Sequence, residues 1–258
     1  MSLSKRELLI VRLNEIGSSL ANSNKALALI GLGSVGLERD RLDDYSDLDF
    51  FAIVDTGFKG GFLASLDWLG AICPIAYSYR NTPDGYKVLF EDGVFCEFAV
   101  FEEPELRHIP FAPGRIIWKR EGVPDALAVP QLIQKALEDS SPEWLLGEAL
   151  TNLYVGLGRF HRGEKLSAMR LIQCDAVDRV LELSERIEPA AASPRDAFGP
   201  VRRYEQRHPS LARALPSFAQ GYERSVDSAL AILSFVEGHF EVNSSLKAAL
   251  LELCKPAR

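Results

Sequence analysis

Apolar residues near the start of the chain recur at helical spacing. Leu8, Leu9, Val11, Leu13, Ile16 and Leu20 can share one buried face, which predicts a helix over 4–21. The pattern then shortens. KALALIGL (25–32) is a compact apolar run ending in glycine, and LDFFAIV (48–54) is a second, so both predict buried strands. A short helix is expected over Phe62 to Leu69. Three strand-like runs follow, ICPIAYSY, GYKVLFEDG and VFCEFAVF. The last two meet across Glu91-Asp92-Gly93, and Asp-Gly is a hairpin signal. RIIWKR near 115 adds one more short strand.

From about Pro130 the period becomes helical throughout. Pro142 to Arg162 carries Leu150, Leu153, Tyr154, Leu157 and Phe160 at helix spacing. Lys165 to Ile187 carries Met169, Ile172, Ala176, Val180 and Leu183 on one face. EPAAASPRDAFGP, over 188–200, breaks the chain, and two or three helices complete it. The pattern therefore predicts an α+β protein: an N-terminal half of mixed helices and strands over 1–125, then an all-helical bundle over 126–258.

Composition narrows the classes of partner. The chain has 258 residues, 47% hydrophobic and 25% charged, and a net charge of -7. A global basic field for nucleic acid is therefore absent. Arg195, Arg202, Arg203, Arg207, Arg213 and Arg224 make 195–224 locally basic. That segment is poor in aromatics, so it is expected to pair with the acidic N-terminal half and not to bind RNA. No run of about 18 apolar residues exists, so no membrane span is expected. MSLSKRELLIVRLNEIGSSL is broken by charges and reads as no signal peptide. Cys73, Cys96, Cys174 and Cys254 form no C-x-x-C pair, which suits free thiols in a reducing cytoplasm. His108, His161, His208 and His239 form no zinc-hydrolase pair.

Candidate chemistry concentrates between Leu27 and Asp55. GLGSVG (31–36) matches the dinucleotide-binding pattern, and Asp55 stands where an acid would hold a ribose. Such a turn must lead into a helix that covers the sheet. LERDRLDDYS, between Gly36 and Asp47, has only Leu37 and Leu42 as aliphatics and reads as a solvated loop. The dinucleotide reading fails there.

Asp47 and Asp49 support a different reading. Residues two apart in a strand share a face, so two carboxylates would stand roughly 6–7 Å apart at the base. At an effective dielectric near 20 they repel by about 2–3 kcal/mol. A divalent cation with hard oxygen ligands offsets that repulsion, and Mg2+ commonly joins one or two carboxylates to substrate phosphates. The Gly33-Ser34 turn, taken as the start of a helix, would offer backbone N–H groups and a hydroxyl to phosphate oxygens.

Gly33-Ser34, a spacer of about a dozen residues, then Ser46-Asp47-Leu48-Asp49-Phe50-Phe51 resembles the nucleotidyltransferase signature of the DNA polymerase beta superfamily. The resemblance covers roughly residues 25–101. It implies a mixed sheet flanked by helices, with a third carboxylate on a neighbouring strand; Glu97 in VFCEFAVF is that candidate, with Glu91 or Asp92 next. A catalytic domain followed by a helical domain resembles the small aminoglycoside and lincosamide nucleotidyltransferases. In that family the helical domain completes the cleft and supplies bases to the triphosphate, a role open here to Lys165 or Arg170.

The implied reaction is metal-dependent transfer of a nucleoside monophosphate, AMP from ATP by analogy, to a hydroxyl of a small-molecule acceptor. Asp47, Asp49 and Glu97 would hold one or two Mg2+, with Glu97 alternatively the general base. Gly33, Ser34 and Ser46, with Lys165 and Arg170, would bind the nucleotide. Arg39 and Arg41 could assist, or could simply pair with Asp40, Asp43 and Asp44. The acidic stretch from Asp40 to Asp55 suits a cationic acceptor. The competing reading is an antitoxin-like or regulatory module of the same fold that binds a partner protein.

Overall fold

The computed structural model describes residues 3–132, 140–191, 196, 199 and 201–255. The chain divides into two compact units, Met1–Gln134 and Lys135–Arg258.

The first unit opens with α1 (Lys5–Ser23). A capping box starts it: Ser4 Oγ accepts from the Glu7 N–H, and the Glu7 carboxylate accepts from the Ser4 N–H. The helix ends on Asn24 in the left-handed region. Leu9, Leu13, Ile16 and Leu20 are buried, whereas Val11 turns outward, so the apolar stripe is narrower than the pattern predicts.

Strands β1 (Ala26–Gly31), β2 (Leu48–Val54), β3 (Ile75–Thr82), β4 (Gly85–Phe90), β5 (Phe95–Glu102) and β6 (Arg115–Lys119) form one sheet. Their order is β3-β4-β5-β2-β1-β6. Only β2 and β5 run parallel among these pairings, so the sheet is mixed. Between β2 and β3 lie α2 (Lys59–Ala64) and α3 (Asp67–Gly70). The sequence pattern predicts one helix there. Ser65, in extended conformation, divides it into two.

The two faces of the sheet are covered differently. Leu48, Phe50, Ala52 and Val54 of β2, with Cys96, Phe98 and Val100 of β5, face a core shared with α1, α2 and α3. On the other face Ile53 and Phe101 are covered by Leu106, Phe111, Leu127 and Ala128. That cover lies at the C-terminal ends of β2 and β5. Their N-terminal ends, which carry Asp49 and Glu97, remain half-buried.

The second unit is helical, as predicted. It begins with α4 (Pro142–His161), capped by Ser141 Oγ accepting from the Trp144 N–H. The predicted helix over 165–187 is α5 (Lys165–Arg170), a π-helical turn over Leu171–Asp175, and α6 (Ala176–Ser184). A Cβ on Gly156 would lie 2.5 Å from Ile172 Cγ1, so this glycine lets α4 approach the π-turn closely. Then come α7 (Tyr204–Arg207), α8 (Leu215–Phe218), α9 (Ser225–Glu237) and α10 (Ser244–Leu253). Leu150, Leu153, Leu157, Ile172, Val180, Ile232 and Val236 build their core. Tyr154, expected on the buried face, is exposed.

Much of the 188–200 break, including Arg195, lies outside the described residues. Three of the predicted basic residues pair inside their own unit: Arg202 with Asp196, Arg207 with Glu185 and Arg224 with Asp227. Among the described residues, no helix is long and apolar enough to cross a membrane.

Candidate active site

Strand alternation sets the site. In β2 and β5 one set of residues is large and apolar and packs toward α1. The alternate set must therefore face the other way. That set begins with Asp49 in β2 and includes Glu97 in β5. The parallel register puts Asp49 directly opposite Glu97, one step before Phe50 opposite Phe98. Neighbouring strands lie about 4.7–4.9 Å apart, so the two carboxylates leave the sheet side by side. Asp47 stands one residue ahead of β2 and is also half-buried.

A lysine faces these acids. Lys87 of β4 is directly opposite Glu97 across the antiparallel pair. Its Nζ lies 3.0 Å from Glu97 Oε2. Asn81 of β3 donates from Nδ2 to Glu97 Oε1 at 2.8 Å. The Lys87 ammonium titrates above the ordinary lysine range. Its hydrogen bond to Glu97 is the main cause, then the charge of Glu97, with Asp49 and Asp47 adding to it.

The glycine turn lies against the same acids. The Leu32 N–H donates to the Asp49 carbonyl at 2.8 Å. Gly33 has φ +51°, and a Cβ there would sit 3.8 Å from Asp49 Oδ2. The turn over Gly33–Val35 is a single 3₁₀ turn, and a second follows over Arg39–Arg41. No α-helix begins at Ser34, which corrects that expectation. β1 and β2 pair antiparallel, so the GLGSVG segment is not a dinucleotide-binding crossover. Arg115 of β6 holds the far side of the turn: Nε donates to the Gly36 carbonyl at 3.1 Å and Nη2 to the Val35 carbonyl at 3.0 Å. Burial, and then the charge of Arg39, lower the pKa of Arg115.

The other candidates are placed as follows. Ser46 Oγ donates to Asp43 Oδ1 at 3.0 Å and accepts from the Asp43 N–H at 3.0 Å, so it ties the loop before β2. Arg41 pairs with Glu38, and Arg39 lines a cleft with Leu13, Asn14, Ser34 and Arg115. Asp92 is ion-paired with Arg12 at 2.7 Å, and Glu91 sits in the β4–β5 turn. Lys165 and Arg170 occupy the two ends of α5 in the second unit, where Lys165 pairs with Glu223.

The donor set of Asp47, Asp49 and Glu97 is all oxygen and anionic, which suits a hard divalent cation. Their placement on one sheet face suits it as well. Convergence is incomplete: among the described residues no group of three His, Cys, Asp or Glu side chains is gathered closely enough to hold a metal ion. Glu97 instead directs both its oxygens at Lys87 and Asn81.

Lys87, Asn81 and Arg115 are absent from the candidates named above. Lys87 had a signal: counting outward from the Glu91-Asp92-Gly93 hairpin puts it opposite Glu97. Asn81 and Arg115 had none, because their reach depends on how the strands pack.

No protein-family model and no curated protein matches the chain. Solved structures similar to it include an aminoglycoside 6-adenyltransferase from Bacillus subtilis (13% identity; 98% of this chain and 92% of that chain; TM-score 0.33). A second is a nucleotidyltransferase-like protein from Exiguobacterium sibiricum (13% identity; 86% and 72%; TM-score 0.32). A third is a STING-associated c-di-GMP synthase from Capnocytophaga granulosa (15% identity; 96% and 79%; TM-score 0.31). Identity of this order carries no residue roles across to this chain.

Proposed function

We propose that the chain is a nucleotidyltransferase that moves AMP from ATP to a hydroxyl of a small-molecule acceptor and releases pyrophosphate. One observation carries this reading: Asp49 and Glu97 are in register on adjacent parallel strands, with Asp47 two residues before Asp49 and the Gly33 turn against the Asp49 carboxylate.

Asp47, Asp49 and Glu97 would hold one or two Mg2+, which when bound lower the phosphate charge and favour in-line displacement. The acceptor oxygen forms a bond to the α-phosphorus as the bond from that phosphorus to the bridging oxygen breaks. Glu97 completes the Mg2+ ligand set or, alternatively, takes the hydroxyl proton. The amides of Gly33 and Ser34 and the Ser34 hydroxyl receive oxygens of the departing phosphates. The acidic run from Asp40 to Asp55 favours an amine-bearing acceptor, of aminoglycoside or lincosamide type.

The test is calorimetric titration of ATP into the full chain with and without Mg2+, beside the Asp47→Asn/Asp49→Asn double variant. Mg2+-dependent binding that the double variant loses supports the reading and directs an acceptor screen with aminoglycosides and lincosamides. Absence of binding by any nucleoside triphosphate overturns it in favour of a partner-binding module.

A further inference from the structure

Four side chains form a row across the open face of the sheet. Tyr79 of β3 is opposite Lys87 of β4, Lys87 is opposite Glu97 of β5, and Glu97 is opposite Asp49 of β2. The row sets an ammonium among three carboxylates, because Asp47 lies beside Asp49 and its charge also acts on Lys87. Carboxylates so close repel one another unless a cation lies among them. Lys87 supplies that cation from within the fold.

We propose that Lys87 is the resident counter-cation of the carboxylate site: it pairs with Glu97 and offsets part of the charge of Asp47, Asp49 and Glu97 before a divalent ion arrives, and must leave Glu97 for that ion to load. This rests on the reading of the three acids as metal ligands. Glu97 Oε2 is within 3.0 Å of Lys87 Nζ, and Oε1 accepts from Asn81 at 2.8 Å. The oxygen that would turn to a metal is thus the one that holds the ammonium. Lys87 can leave, because its side chain is 42% exposed and sits on a flexible stem. Asn81 remains to orient Glu97 after the exchange. A divalent ion arriving alone must therefore displace a bound charge of its own sign. One arriving with a triphosphate brings anionic oxygens that receive the displaced ammonium. Metal and nucleotide then bind with positive coupling, and Lys87 is its source.

The experiment measures Mn2+ binding to the full chain by calorimetry, without nucleotide and then with a non-hydrolysable ATP analogue. It compares wild type, Lys87→Met, Lys87→Arg and Asp49→Asn, each checked for folding by circular dichroism, with Lys87→Gln as the second neutral variant. Loss of the competing charge should tighten Mn2+ binding in Lys87→Met by up to about fivefold and shrink the coupling to nucleotide. Lys87→Arg, which keeps the charge, should stay near wild type, and Asp49→Asn should lose binding. If Lys87→Met binds Mn2+ no tighter than wild type while Asp49→Asn loses it, the counter-cation role is overturned and the metal reading stands. If Asp49→Asn binds Mn2+ as wild type does, or neither wild type nor Lys87→Met binds it, the metal reading falls and the proposal with it.

Discussion

Asp49 and Glu97 face each other across parallel strands one residue before Phe50 and Phe98, whose rings stack on the opposite side of the sheet at 5.2 Å and 5°. The acidic pair on one face is thereby fixed by the aromatic pair on the other. A slip of one residue between β2 and β5 would bring Phe50 or Phe98, both buried, to the open face. The energy that protects the core also protects the spacing of the two carboxylates.

Asp49→Asn should reduce AMP transfer to background while the chain remains folded. The substitution relieves repulsion from Asp47 and Glu97 but removes an attraction for Lys87. These opposing terms should leave stability within about 1 kcal/mol of wild type. Pyrophosphate release and a denaturant melt on the same preparation check both halves. Turnover near wild type would remove Asp49 from the chemistry.

Glu97→Gln should slow transfer by about 10²–10⁴-fold if Glu97 takes the hydroxyl proton. Its ion pair with Lys87 is exposed at both ends, 42% on each side chain, so solvent screens most of its contribution to stability. Stability should therefore barely change, and Asn81 keeps an acceptor at position 97. Single-turnover kinetics with saturating ATP isolate the step. An unchanged rate would place the base on another residue.

Strands β2 and β5 were legible in the sequence because each is a short, almost continuous apolar run around an acid. The hairpin was legible too, since Asp92-Gly93 fixes which residues of β4 and β5 meet. The pairing of β2 with β5 was not. No turn connects them, and nothing local sets the register of strands separated by helices and a hairpin; the resemblance, not the periodicity, joined Glu97 to the aspartates. The break at Ser65 and the π-turn after Arg170 were also hidden, because both depend on neighbouring packing more than on propensity. Gly33-Ser34 opens only a single 3₁₀ turn, because the solvated segment behind it is too polar to continue into a helix.

The glycine turn offers a graded test. Gly33→Ala forces a side chain into the left-handed region, a cost of about 1–2 kcal/mol, without a close clash. Gly36→Ala is worse. Its Cβ would lie 2.6 Å from the Gly31 carbonyl oxygen and 2.8 Å from the Leu32 carbonyl carbon, so backbone must move, at about 1–3 kcal/mol or more. Thermal melts should rank wild type above Gly33→Ala and Gly33→Ala above Gly36→Ala. A Gly36→Ala protein as stable as wild type would contradict the close approach of β1 to the turn.

Cys96 lies on the core side of β5, and burial pushes its thiol up to about 12 from an ordinary 9.0, against the charge of Arg12 and with that of Asp49 and Asp47. The unfolded chain releases this proton near 9 while the folded chain retains it. Stability should therefore fall as pH rises from about 9 toward 12, because over that window the folded state binds more protons. Denaturant melts at pH 8 and pH 10 for wild type and Cys96→Ala isolate the contribution. The wild-type loss should exceed that of the variant; equal losses would mean the thiol is not the group responsible.

Arg115 gives the sharpest separation between nucleotide binding and metal binding. Its guanidinium spans the Val35 and Gly36 carbonyls with two different nitrogens, which a single lysine ammonium cannot reproduce. Arg115→Lys should therefore behave nearly as badly as Arg115→Met, each losing about 1–3 kcal/mol as buried carbonyls go unpaired. The turn that would then loosen is the one carrying the Gly33 and Ser34 amides, whereas Asp47, Asp49 and Glu97 stay anchored by β2 and β5. ATP affinity should drop in both variants while Mn2+ binding without nucleotide stays at the wild-type value. Loss of both together would mean that Arg115 supports the whole sheet edge. Loss of neither would mean that the phosphates do not sit on this turn.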